Sequence, residues 1–287
     1  MKQRSSTLYI CLILLQSLIY GIGNPLTKIA YRSITPCWLL AVRFVIAVPI
    51  ILFMARKTLW EDLRKVRVAI WLPPCLFCAT AYLTGNLALD YTTATNVGFI
   101  MSLPVLIAPI LEVPVLHRRY QWKRLPIQLI TLVGLFFLCC NGGSFSFGLG
   151  EVLALIFAIC LAGHLVFGER TLQEMDVMSA TALQISAAMI VCIGSAFLTD
   201  DISVLASVRM EAWLVVIYLG IVCSVVGFLL QNIAVPKLSA RTVSLLQCSQ
   251  PILTAAASYV MIGEVLSPIG LLGAAIIITC LIIDSRM

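Results

Sequence analysis

Ten apolar blocks, separated by short polar or basic stretches, divide the 287 residues. Their approximate cores are 7–26, 36–55, 69–88, 93–115, 125–141, 149–168, 178–198, 212–232, 241–262 and 267–284. A helix needs about 20 apolar residues to cross about 30 Å of hydrocarbon. The pattern therefore predicts an all-α integral membrane protein with ten transmembrane helices. The fifth block, "LPIQLITLVGLFFLCC", is the shortest.

Polar positions inside these blocks recur at helical spacing. Gln16, Tyr20, Asn24 and Lys28 repeat every four residues, as do Tyr82 and Asn86. Thr92, Asn96 and Ser102 mark the fourth block, Ser224, Gly227 and Gln231 the end of the eighth, and Ser244, Gln247, Gln250 and Thr254 the ninth. Spacings of three and four place each set on one helix face. Polar groups against lipid are costly, so these faces are expected to turn inward. Stripes on helices 1, 3, 4, 6, 8 and 9 would then converge on a water-accessible cavity. The same residue types also join helices by hydrogen bonds and close packing, so each is a cavity lining or helix glue.

Composition agrees with this class: 61% of residues are hydrophobic, 11% are charged and the mean hydropathy is +1.05. A soluble domain carries roughly a quarter charged residues, and no polar region here is long enough for a separate soluble domain. Basic residues near helix ends stay preferentially in the cytoplasm. With the N terminus inside, inner segments hold fifteen of the nineteen Lys and Arg, outer segments hold only Lys28, Arg32 and Arg209, and Arg43 lies within a block. Both termini are thus expected in the cytoplasm. The net charge of +6 is an orientation signal and calls for no nucleic-acid partner. The basic, apolar start lacks a small-x-small cleavage site and reads as an uncleaved first span. All eleven cysteines fall inside predicted helices, and no histidine accompanies Cys75 and Cys78 at metal-ligand spacing, so packing is their expected role and no metal is predicted.

The chain also repeats itself. "GNLALDYTTATNV" from Gly85 aligns with "QNIAVPKLSARTV" from Gln231 at an offset of 146, setting Asn86 against Asn232, and Pro104 matches Pro251 after a one-residue slip. "WLLAVRFVIAV" from Trp38 aligns with "SATALQISAAM" from Ser179, setting Arg43 against Gln184. Two halves of five helices, 1–142 and 143–287, must enter the membrane from opposite sides. Inverted repeats of this kind are the architecture of many secondary transporters, with a substrate site between the halves near the midplane.

Several short motifs carry a resemblance to a known family: "YGIGNPLTKIA" ending at the first-helix lysine, "AVRF" in the second helix, "GNLAL" running into "TTAT", and "SQPILTAAASYVMIGEVLSP" with Pro251 and Glu264 thirteen residues apart. In this order they resemble the EamA-domain family of the drug/metabolite transporter superfamily. The resemblance spans the whole chain in two copies and implies ten helices and a central cavity on the helices named above. Two departures stand out. His117 lies thirteen residues after Pro104, where the family usually has a glutamate, which implies a lost helix-end contact. Gly163-His164 occupies a region where the family commonly has an aromatic. The family's substrates therefore do not transfer to this chain.

Tyr20, Asn24, Tyr82, Asn86, His164, Gln231, Gln247 and Gln250 are the candidate substrate-binding residues. Gln247 and Gln250 sit mid-helix beside Pro251, which would free the Gln247 carbonyl to accept a bond from a substrate. His164 is either a satisfied interior histidine or a proton carrier. Arg43 lies about 12 Å deep in the second helix, too deep for easy snorkelling, and must face protein or water. It is either a structural clamp on backbone carbonyls and helix ends or an anchor for an anionic substrate group. Glu112 lies toward the inner end of helix 4, which argues on depth against an Arg43–Glu112 pair.

The chain is expected to be a secondary transporter, exporting a small metabolite such as an amino acid or related polar compound by alternating access. The alternatives are a drug or toxic-compound efflux carrier and a passive channel or helper subunit. No P-loop, H-E-x-x-H, G-x-S-x-G or paired intramembrane aspartate occurs. Neither an enzyme, a catalytic residue nor a cofactor is expected. The partners are a small-molecule substrate and the lipid bilayer of a bacterial cytoplasmic membrane, and a homodimer is compatible with such a chain.

Overall fold

The structure, a computed structural model, describes residues 2–91, 100, 102–139, 148–263 and 267–284. Thr92, Asn96, Cys140, Glu264 and the 142/143 boundary between the halves lie outside the described residues. All regular structure among the described residues is helical.

The first half contains α1 (Lys2–Ala30), α2 (Pro36–Ala55), a short α3 (Leu59–Lys65), α4 (Val68–Tyr91), α5 (Pro104–Leu116) and α6 (Leu125–Cys139). The second contains α7 (Leu149–Thr171), α8 (Val177–Thr199) and a long helical span α9 (Met210–Leu238), followed by α10 (Ala240–Gln247), α11 (Gln250–Ile262) and α12 (Pro268–Asp284). Six of these are long and apolar enough to cross a membrane: α1, α2, α4, α7, α8 and α9, while α5 and α12 are shorter apolar helices.

The distribution of polarity is that of a protein whose solvent is lipid. Large apolar side chains such as Phe53, Leu198, Leu214 and Val260 project outward, whereas Gln16, Ser17, Gln184, Ser224, Glu112 and Glu169 are buried. Long helices satisfy their own backbone groups, which is what the hydrocarbon region demands. The hydrophobic effect does not drive helices together there, so contact depends on close packing of small residues. In α7, Ala154, Ala158 and Ala162 repeat every four residues and are wholly buried, and in α8, Ala182, Ala188, Cys192 and Ala196 are. α7 packs along α4, and α8 along α2. α6 and α12 approach most closely at Gly134 and Gly273, where a Cβ on either would overlap the other's carbonyl oxygen. α1 packs along α9 and α11, α5 along α7, and α4 and α9 reach α8 and α2 respectively.

Three irregularities shape the interior. α9 is wound as a π-helix over Leu219–Gly227, a form that recurs at functional sites. The ninth apolar block is broken between α10 and α11: Cys248 and Ser249 donate three residues back, to Leu245 and Leu246. Pro251 therefore sits in the first turn of α11, where its missing N–H leaves no bond unmade. The expected release of the Gln247 carbonyl inside a continuous helix is replaced by a helix break. Pro104 likewise opens α5, after Leu103 donates to the Ile100 carbonyl.

His117 closes α5 in the left-handed region (φ 51°), and Gly263 does the same for α11 (φ 70°). The α5 cap position is thus where the family's glutamate was expected.

Candidate functional site

The polar stripes of four helices meet in one hydrogen-bonded cluster. Gln231, at the end of α9, accepts at Oε1 from Gln16 Nε2 of α1 and from Gln247 Nε2 of α10, both at 2.8 Å. Gln247 Nε2 also reaches Gln16 Oε1 at 3.3 Å. Because Gln231 Oε1 receives two donors, its amide nitrogen is the group that faces His164 Nε2 of α7, at 3.1 Å. An amide nitrogen only donates, so His164 Nε2 accepts and the ring proton lies on Nδ1, which donates to the Pro74 carbonyl of α4 at 3.3 Å. In this arrangement both ring nitrogens of His164 have a partner.

Pro74 also has a structural consequence one turn away. A proline inside a helix removes the bond to the carbonyl four residues earlier, here Ile70. Thr171 Oγ1, two turns beyond His164 on α7, donates to that carbonyl at 2.7 Å. The α4–α7 contact is thus fastened at a proline by one threonine and one histidine, and Gly163 leaves room for Phe77 to lie against the α7 backbone.

Arg43 lies in a second, adjoining group. Its Nε donates to Ser224 Oγ at 2.6 Å, and Ser224 in turn donates to the Leu219 carbonyl five residues back, in register with the π-helix. The guanidinium stands 5.5 Å from the Phe44 ring centre and 5.4 Å from that of Tyr82. Tyr82 stacks on Phe228, which meets His164 edge-on, so aromatic rings connect Arg43 to the amide cluster. Tyr20 lies against Gly227, where a side chain would collide with its ring. No contact joins Arg43 to Glu112.

The remaining candidates lie around this core. Asn86 accepts at Oδ1 from Tyr31 OH at 2.8 Å, while its buried Nδ2 has no partner among the described residues. Asn24 donates to Thr254 Oγ1 at 3.0 Å. Gln250, partly buried, makes no hydrogen bond among the described residues. His164, Gln231 and Gln247 are therefore brought together, Tyr20 and Tyr82 border them, and Asn24, Asn86 and Gln250 stand apart.

Sequence reasoning missed a site at the end of the bundle where α5, α7 and α10 meet. The buried carboxylates of Glu112 and Glu169 cap the first turn of α10: Glu169 Oε2 accepts from Ala240 N at 2.7 Å and Glu112 Oε1 from Arg241 N at 2.8 Å. Arg118 bonds Glu169 at 2.5 Å, and Arg241 lies 3.6 Å from Glu112. Anions at a helix N terminus meet unpaired N–H groups and the positive end of the dipole. Ser239, which joins α9 to α10 beside them, holds φ 81° and ψ 151°, a region where a side chain is strained. Arg118 and Arg241 entered the sequence argument only as loop charges. The signal available was a pair of carboxylates at predicted span ends, Glu112 just inside one and Glu169 just beyond another.

Comparison with known proteins agrees with this architecture. The model of the EamA-like transporter family matches residues 7–140 and again 148–284. A protein of Archaeoglobus fulgidus described as an uncharacterized transporter is 34% identical over 145 residues, which is 50% of this chain and 44% of that protein. The match thus spans less than half of that relative's length. A solved structure described as "Crystal structure of protein" superposes with a TM-score of 0.82 at 18% identity, covering 99% of this chain and 97% of the other, which shows a shared fold. With its family model matched across nearly the whole length, this chain is a member of the EamA-like transporter family and a multi-pass membrane protein.

Proposed function

We propose that the protein is a secondary transporter that exports a small polar metabolite, such as an amino acid or a related compound, along a route through the cluster of Gln16, His164, Gln231 and Gln247. The observation that carries this is the amide–histidine cluster itself. It draws α1 from one half of the chain and α7, α9 and α10 from the other, and it contains no formal charge. Neutral amides can exchange one another for a substrate's polar groups or for water without stranding a charge in the membrane.

Ten spans arranged as two inverted halves, 1–142 and 143–287, fit the packing. Exchange α1 with α7, α2 with α8, α4 with α9, α5 with α10 and α11, and α6 with α12, and each helix contact described above maps onto another or onto itself. Two successive matches of one family model and the matching placement of Pro104 and Pro251 in the first turns of α5 and α11 argue in the same direction. Broken helices near the midplane are where inverted-repeat transporters place their sites. The basic loops put both termini in the cytoplasm of a bacterial cell. Glu112, Glu169, Arg118 and Arg241 then close the cytoplasmic side, and rocking of the halves has to part them.

The test is flux through liposomes holding only the purified protein. Flux that saturates and is competed by unlabelled solute supports a carrier. Flux linear in concentration favours a channel, and none at all favours a helper subunit.

A further inference from the structure

We infer that the solute carries a carboxylate, bound by the guanidinium of Arg43; this rests on the transporter reading and names its substrate class. Five charged side chains are buried among the described residues: Arg43, Glu112, Glu151, Glu169 and Asp284. The four acids are all matched. Glu112 and Glu169 have Arg118 and Arg241, Asp284 has Arg124 at 3.1 Å, and Glu151 accepts from the Gly148 amide at 2.8 Å. Arg43 has one neutral hydroxyl for five N–H donors. Among the described residues no carboxylate lies within ion-pair reach of it, and its titratable neighbours are Tyr20, Cys78, Tyr82, Cys192 and Cys223.

A cation buried in this way is expensive unless an anion joins it. Ser224 occupies Nε, which leaves the outer edge formed by Nη1 and Nη2, the edge that grips a carboxylate with two parallel bonds. A single cation in neutral surroundings balances one negative charge. That suits a carboxylate better than a phosphate monoester, which carries close to two.

A second observation lies on the way in. Asn86, one turn beyond Tyr82 on α4, buries an Nδ2 donor with no acceptor among the described residues. Tyr31, which bonds Asn86, also lines a depression of about 480 Å³ at the end of the bundle where α1 meets α2, together with Arg32 and Arg209. Among the described residues no carboxylate lines it. Asp200 and Asp201 lie in the preceding loop, where Asp201 is taken up by the Ser203 amide. Donors and cations thus stand at the mouth, at Asn86 and at Arg43, an arrangement that favours an anion.

The test uses liposomes holding the purified protein and loaded with the small-molecule extract of the expressing cells, with released solutes identified by mass spectrometry. Wild type is expected to release carboxylate-bearing solutes. Arg43→Gln should lower that release about tenfold or more, the scale of one lost charge-assisted bond, with Arg43→Lys in between. A stabilising shift of the wild type by the released acid, absent in Arg43→Gln, separates binding from a structural role. If Arg43→Gln does not fold, the same shift, reduced in Arg43→Lys, decides. Release of neutral or cationic solutes that Arg43→Gln leaves unchanged overturns the carboxylate assignment but leaves the transporter standing. Release of nothing by the wild type overturns both.

Discussion

Gln231 Nε2 lies 3.1 Å from His164 Nε2, while Gln231 Oε1 accepts from Gln16 and Gln247. One amide therefore joins α1, α7, α9 and α10. The bonds to Gln16 cross between the two halves of the chain, so any rocking of one half on the other has to exchange them for bonds to water or solute.

Gln231→Leu should be strongly destabilising. It strands the amide donors of Gln16 and Gln247 and the acceptor of His164, and each buried unmet group costs about 1–3 kcal/mol. Gln247→Ala removes one arm of the cluster from a partly buried position, and its cost should stay near 1 kcal/mol. Thermal unfolding in detergent, run on both variants, should rank them in that order.

Thr171→Val keeps shape but withdraws the donor that serves the Ile70 carbonyl. It should cost about 0.5–1.5 kcal/mol. In a Pro74→Ala background the restored backbone N–H can serve that carbonyl, so the same change should cost less. A double-mutant cycle measures this coupling directly, and strictly additive effects would show that the proline and the threonine are unrelated.

His117→Gly should stabilise the protein by roughly 0.5–1 kcal/mol. A side chain in the left-handed region carries a steric cost that glycine escapes, and Gly263 already fills the matching cap on α11. A rise in the unfolding midpoint with unchanged membrane insertion is the expected result.

Glu169→Gln faces Arg118 with an amide in place of its counter-ion. The loss should be about 1–3 kcal/mol, below that of a wholly buried pair because Arg118 is partly exposed. The start of α10 should loosen, so amide hydrogen exchange at residues 239–247 should quicken. Unchanged exchange there would mean that the ion cluster does not hold this end of the bundle shut.

Much of the fold was legible in the sequence because lipid imposes a simple rule: long apolar blocks become helices. The stripes of Gln16, Gln231 and Gln247 were legible for the same reason, since helical spacing names the face. Which faces meet is a tertiary fact. Gln16 was only one member of a stripe, yet it is central, while Gln250, favoured for its place beside Pro251, makes no hydrogen bond among the described residues. The break at Cys248 and Ser249 was hidden because an apolar run reads as one span whether or not its helix is continuous. The carboxylates at 112 and 169 were hidden because a charge near a span end looks solvated until a neighbouring helix terminus covers it.

The central claim is that the amide–histidine cluster lines the path of an exported solute. The most direct measurement compares, by untargeted mass spectrometry, the culture medium of cells expressing the wild type with that of cells expressing Gln247→Ala at equal levels in the membrane. A small set of metabolites should accumulate outside with the wild type and fall severalfold with the variant. Identical media from the two strains would contradict the claim.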